Sequence, residues 1–96
     1  MVKVTAVCFV KEECTEVFLA IAKELVEKTN SLDRGCLKYE LCKDLNDPLH
    51  YVVLEEWEDQ SALDEHMAKE HFADLVPKLG DQTSKPIELT VLEKVY

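Results

Sequence analysis

A tryptophan and two histidines close together in the chain are the residues best suited to chemistry. Trp57 ends a strand-like segment, and His66 and His71 follow at once in a helix-like segment. A neutral imidazole can take a proton from a phenolic or enolic hydroxyl near neutral pH, so His66 is the candidate catalytic base. The Trp57 indole can donate a hydrogen bond to a substrate oxygen while its ring forms an apolar wall. Pockets often form at such strand-to-helix corners, so the spacing predicts a pocket lined by Trp57 and His66.

Three more residues are candidates for binding a substrate at this corner. Tyr51 shares the strand parity of Trp57, and His71 and Phe72 follow one another in the helical segment. Each also has a plainer interpretation: the aromatic rings pack in the core, and the histidines cap helices or lie at the surface. A carboxylate run lies beside Trp57 and consists of Glu55, Glu56, Glu58 and Asp59. It could contain a two-carboxylate acid-base pair, but such charge runs are typical of a solvated face.

The sequence predicts neither a metal nor an organic cofactor. It contains no glycine-rich phosphate loop, no haem-attachment motif and no zinc-site cysteine spacing. His66 and His71 lie five residues apart, which would place them on different faces of a continuous helix, unless the helix breaks between them. The four cysteines, at positions 8, 14, 36 and 42, include no Cys-x-x-Cys and are expected to be free packing residues.

The elements that position these residues follow from hydrophobic periodicity. Strand-like and helix-like segments alternate, and turn residues separate them. The expected strands cover 2–10, 36–43, 49–57 and 87–95; the expected helices cover 13–32 and a region from about 59 to 80. The second helical region should break near 68–70, and Pro77 should kink or end it. Asp59 or Ser61 can cap its start.

The order β-α-β-β-α-β predicts an α+β, ferredoxin-like fold with a four-stranded antiparallel sheet, in one domain spanning 1–96. Both helices would cover one face of the sheet. Val2, Val4 and similar residues would then leave an apolar face that needs a cover. A second copy of the chain is the simplest cover, so we expect a homodimer with sheet-to-sheet contact.

Composition excludes several classes of partner. The net charge is -9, which argues against nucleic acids and anionic membrane surfaces, because both attract basic patches. No apolar run is long enough for a membrane helix, and the N-terminus lacks the apolar core of a signal peptide, so we expect a cytoplasmic protein. A small apolar or aromatic ligand fits this composition better.

Two segments carry a resemblance to a known family. Glu55-Glu56-Trp57-Glu58-Asp59-Gln60 running into His66-Met67-Ala68-Lys69-Glu70-His71-Phe72, together with Gly35-Cys36-Leu37-Lys38-Tyr39-Glu40-Leu41, resembles the antibiotic biosynthesis monooxygenase (ABM) family. The resemblance implies a dimeric α+β barrel and a pocket with Trp57 and Phe72 in its wall. Haem-degrading relatives carry an asparagine on the first strand; residues 1–10 contain none, which disfavours haem degradation.

Three functions remain open at this point. The resemblance favours a cofactor-independent monooxygenase that oxidises a small phenol or quinol with O2. The same residues would also serve an isomerase or decarboxylase of a small carbonyl compound. A non-catalytic dimeric barrel, of the stress-response or ligand-binding kind, is the third, because the fold alone does not decide function.

Overall fold

The computed structural model describes the whole chain, Met1–Tyr96, as a four-stranded antiparallel sheet with helices on one face. The strands lie in the order β2-β3-β1-β4, and every neighbouring pair is antiparallel. The elements in chain order are β1 (Val2–Phe9), a 3-10 turn (Glu12–Cys14), α1 (Thr15–Leu32), β2 (Cys36–Lys43), β3 (His50–Trp57), α2 (Gln60–Met67), α3 (Glu70–Gly80) and β4 (Glu88–Glu93). The predicted ferredoxin-like α+β fold is confirmed, with the second helical region divided into two helices.

Alternation along β1 decides which residues face the helices. Val4, Ala6 and Cys8 are buried, and the intervening residues, among them Val7, are half-buried on the outer face. The prediction that Val4 contributes to an uncovered face is therefore wrong: its side chain is 1% exposed and belongs to the core. The outer face of β1 is less apolar than the inner face, since it also carries Lys3.

The first helix packs through one apolar stripe and ends at a glycine turn. Phe18, Ala22 and Leu25 recur at three- and four-residue steps and are fully buried. Leu32, expected to extend the stripe, is 62% exposed. Gly35 follows with a φ of 78°, and a Cβ there would lie 2.6 Å from the Cβ of Ala62 at the start of α2. Glycine is therefore needed both for the turn and for the close approach of α2.

The break in the second helical region lies where it was predicted, and α3 does not end at Pro77, which was one of the two outcomes predicted for this residue. Asp59 caps α2 by accepting the Ala62 N–H at 2.8 Å. Pro77 lies inside α3, which continues to Gly80. A proline in a helix costs about 3 kcal/mol. Leu75 and Leu79 flank it and are both buried, and each contributes about 1.5–3 kcal/mol. Their burial outweighs the missing hydrogen bond, so the helix continues.

The last strand is the least covered element. β4 spans Glu88–Glu93, shorter than expected, and all six of its residues are exposed. Leu89 pairs with Ala6, so it lies on the helix side of the sheet, yet it is 52% exposed because no helix covers it. Leu92 lies on the opposite side and is also exposed. None of the three α-helices is both long and apolar enough to cross a bilayer.

Candidate functional site

A cavity of about 170 Å³ lies between the inner face of the sheet and the helices α1 and α3. Eleven residues line it, and ten of them are hydrophobic. A dry apolar cavity of about 150 Å³ is sufficient to hold benzene. The volume therefore suits one aromatic ring with small substituents, and the wall suits an apolar ring.

The remaining residue of the cavity wall is Glu55, which the sequence analysis considered only as a member of the carboxylate run. It is 5% exposed, because the alternation of β3 turns it inward with Val53 and Trp57. Its Oε1 accepts a hydrogen bond from the Trp57 indole N–H at 3.0 Å. Burial raises the pKa of Glu55 to about 7, although the bond from Trp57 acts in the opposite direction. The cavity wall thus contains one carboxyl whose pKa lies well above its ordinary value of 4.5.

Tyr39 supplies a second polar group to the cavity wall. It is 5% exposed, whereas the next residue, Glu40, points to the outside of the sheet. Burial, reinforced by the negative charge of Glu55, raises the pKa of the Tyr39 hydroxyl far above its ordinary value. The hydroxyl therefore stays protonated and can donate a hydrogen bond to a substrate oxygen.

Trp57 and His66 lie behind the cavity wall rather than in it. Trp57 is 0% exposed and His66 is 1% exposed. Their ring centroids lie 4.6 Å apart, and His66 also packs against Phe72 at 5.1 Å. Of the predicted binding residues, Phe72 alone is among those that line the cavity. A pocket here was predicted to have Trp57 and His66 in its wall, but neither residue lines the cavity. Trp57 lies two residues beyond Glu55, at the end of β3 and past the end of the cavity.

Both histidines contact one buried aspartate. Asp33 follows α1 directly, and its side chain is 1% exposed. Its carboxylate pairs with Nδ1 of His66, and Nε2 of His71 lies 3.0 Å from Oδ1 and 3.2 Å from Oδ2. The break at Ala68 and Lys69 turns the two imidazoles toward this single carboxylate. Burial lowers the pKa of His66, and the hydrogen bond to Asp33 opposes this.

The same three side chains are a donor set that a divalent metal accepts. Ligand atoms of Asp33, His66 and His71 all lie within 4.8 Å of one another, and two imidazoles with one carboxylate are common ligands of zinc and iron. Without a metal, Oδ2 of the Asp33 carboxylate hydrogen-bonds to one nitrogen of each imidazole, whereas Oδ1 is buried without a hydrogen-bond partner. The sequence missed Asp33, because an aspartate after a helix is ordinary turn chemistry.

The other candidates lie in the core or at the surface. Tyr51 is 5% exposed and packs against Phe18, with ring centroids 5.3 Å apart, so it is a core residue outside the cavity wall. His71 is 8% exposed and faces a surface hollow on its far side. All four cysteines are free. Cys8 lines the cavity, and burial raises the pKa of its thiol to about 11, so it is not a thiolate at neutral pH.

Comparison with known proteins gives consistent results. Residues 1–78 match the family model described as antibiotic biosynthesis monooxygenase. The protein named "Putative monooxygenase YcnE" of Bacillus subtilis (strain 168) is 30% identical over 93 residues, covering 97% of each chain. A crystal structure of an antibiotic biosynthesis monooxygenase is 41% identical over the whole of both chains, with a TM-score of 0.92. A conserved protein from Methanosarcina mazei Go1 is 32% identical over 97% of this chain and 91% of its own, with a TM-score of 0.94.

Proposed function

Because the chain belongs to the antibiotic biosynthesis monooxygenase family, we propose that it is a cofactor-independent monooxygenase that oxidises a small phenol or quinol with O2. The observation that carries the proposal is the apolar cavity of about 170 Å³ with a single carboxyl in its wall. The volume limits the substrate to one ring, and the apolar wall excludes charged substituents. Glu55 and Tyr39 would orient the substrate by its hydroxyl groups.

The chemistry needs little beyond binding, orientation and the exclusion of water. An electron-rich phenol can transfer an electron to O2 once its hydroxyl proton has a place to go. The protonated Tyr39 hydroxyl is a donor for a developing phenolate oxygen. Phe72, from α3, supplies an aromatic face against which the substrate ring can pack.

His66 has a supporting place in this proposal. Its Nδ1 is engaged with Asp33, and its ring packs on Trp57, which in turn donates to Glu55. For His66 itself to take the substrate proton, the substrate would have to pass Phe72, because His66 is not part of the cavity wall. We propose that Asp33, His66 and His71 hold Trp57 and Phe72 in place.

We further propose that the protein is a homodimer. The support is the exposure of apolar residues on both sides of β4, with Leu89 and Val91 on the helix side and Leu92 on the outer side. The chain exposes 5943 Å², compared with about 5,600 Å² expected for a folded monomer of this mass. A second copy that covers β4 and the outer sheet face would remove these groups from water.

The test is oxygen consumption with hydroquinone and with a two-ring naphthol. The cavity volume predicts turnover of the single ring and little turnover of the larger one. Phe72→Trp should fill the cavity and abolish turnover. Phe9→Trp is the matched control, because Phe9 lies at the far end of β1 and stacks on His50 outside the cavity. Lack of oxygen uptake with every ring would contradict the proposal. Turnover of a small carbonyl compound without oxygen would favour an isomerase or decarboxylase, which the same buried carboxyl would serve.

A further inference from the structure

We propose that Glu55 is the catalytic residue that accepts the hydroxyl proton of the substrate and returns it to the oxygen product, an inference that rests on the proposed function. The sequence pointed to His66 for this role. The geometry of the cavity points instead to the carboxyl that the cavity wall contains.

The placement of the two carboxyl oxygens supports this role. Trp57 is the one residue that hydrogen-bonds to the Glu55 carboxyl, and it uses Oε1. This bond fixes the orientation of the group and leaves Oε2 without a protein partner. A general base must lie within hydrogen-bond reach of the proton that it accepts. A substrate hydroxyl inside the cavity would have Oε2 as its available acceptor.

The surrounding groups leave Glu55 without a neutralising cation. The other titratable residues of the cavity wall are Tyr39 and Cys8, and burial keeps both protonated at neutral pH. No ion pair joins Glu55 to a lysine, an arginine or a histidine; its hydrogen-bond partner is the neutral indole of Trp57. Burial therefore dominates, and the pKa of about 7 suits proton exchange in both directions.

Glu55 alone can both accept and return the proton that the reaction moves. As the phenol gives an electron to O2, its O–H bond breaks and the proton passes to Oε2, which leaves a phenoxyl radical, superoxide and neutral Glu55. The two radicals combine at a ring carbon to form a C–O bond and a peroxide anion. Glu55 returns its proton to this peroxide. Loss of water then breaks the O–O and ring C–H bonds and leaves a quinone, so a phenol and O2 give a quinone and water.

The experiment compares Glu55→Gln with Glu56→Gln in oxygen uptake with hydroquinone. Glu56 is the adjacent residue, faces the outer side of the sheet and pairs with Lys38 at 3.2 Å, so its variant should behave as wild type. Gln keeps the size of Glu55 and the acceptor for Trp57 but cannot take the proton. We expect kcat to fall by at least about 100-fold while KM changes little. The wild-type kcat should rise with pH through about 7, and this limb should be absent from the residual activity of Glu55→Gln.

The outcomes separate this inference from the proposed function. An active wild type with an equally active Glu55→Gln variant overturns the role of Glu55 and leaves the monooxygenase proposal standing. A Glu55→Gln variant whose KM rises while kcat is unchanged makes Glu55 a binding residue and also overturns the inference. A wild type without oxygen uptake overturns both proposals. If Glu55→Gln does not fold, Glu55→Asp gives the test: its shorter side chain withdraws the carboxyl from the substrate hydroxyl, so kcat should fall, and an unchanged kcat overturns the inference.

Discussion

Replacing Glu55 with Gln should stabilise the protein above neutral pH, although the side chain is buried and hydrogen-bonded. The pKa of Glu55 rises from 4.5 to about 7 on folding because burial disfavours the charged form. The folded state therefore holds the proton more tightly than the unfolded state. Stability from this group is fully present below pH 4.5 and is lost as pH rises to about 7. At about 1.4 kcal/mol per pH unit, the loss reaches about 3 kcal/mol.

Gln cannot ionise, so the variant should escape this loss. We expect wild type and Glu55→Gln to have similar free energies of unfolding near pH 4.5, with the variant ahead by up to about 3 kcal/mol near pH 8. Water that enters the cavity would reduce the difference. Urea unfolding at both pH values measures it, and Glu56→Gln is the control for a change of net charge. If the difference in free energy of unfolding between the variant and wild type is the same at both pH values, the argument that Glu55 titrates near neutrality is refuted.

Four other predictions follow from packing, pairing and exposure. Trp57→Ala should lower the free energy of unfolding by about 3–5 kcal/mol, because the ring is fully buried; a loss below about 1 kcal/mol in urea unfolding would contradict that burial. Asp33→Asn should lower the free energy of unfolding by about 3 kcal/mol, because it leaves two buried imidazoles poorly paired. Asp64→Asn, at an exposed position, should change it little in the same assay. Leu92→Asp should sediment as a monomer at concentrations where wild type is a dimer. Leu45→Asp, at a position 96% exposed, is its control. If Leu92→Asp remains a dimer, β4 is not part of the interface. Protein purified without added metal should show no stoichiometric metal by elemental analysis, because one nitrogen of each imidazole already hydrogen-bonds to Asp33. A full equivalent of zinc or iron would overturn this expectation.

Most of the fold could be predicted because the spacing of hydrophobic residues and the residue types of turns are local properties of the sequence. The bounds of β2 were predicted without error, and the break between α2 and α3 was placed correctly. An end of the helix at Pro77 was one of two predicted outcomes and is wrong, because the local cost of proline was weighed without the tertiary burial of its neighbours. Leu32 was assigned to the apolar stripe by spacing alone, whereas Thr29 and Asp33 occupy the buried side at the end of α1 and Leu32 faces away from it.

The candidate site was harder to predict, because burial of a charged residue depends on its partners. Strand parity already placed Glu55 on the same side as Trp57, but its neighbours in sequence made a solvated carboxylate run the simpler interpretation. The available signal was strand alternation: residues 53, 55 and 57 share one face of β3, so Glu55 must face the core if Val53 and Trp57 do. Asp33 offered no comparable signal. Its two partners lie 33 and 38 residues away, and no local pattern records such distant contacts.

The sparse cover of β4 has a consequence for the order in which the protein opens. Its six residues are exposed, and the strand is attached to the sheet through β1. Local opening costs least where few apolar groups must be re-exposed to water. In a monomer, which the Leu92→Asp variant is expected to be, the amide protons of β4 should therefore exchange with solvent long before those of β3, which lies between two strands. A second copy seated on β4 should slow that exchange. Leu89 lies in β4 and in the cavity wall, so each local opening also removes one side of the chamber. In the proposed dimer, the copy that covers β4 would therefore also hold this side of the cavity in place.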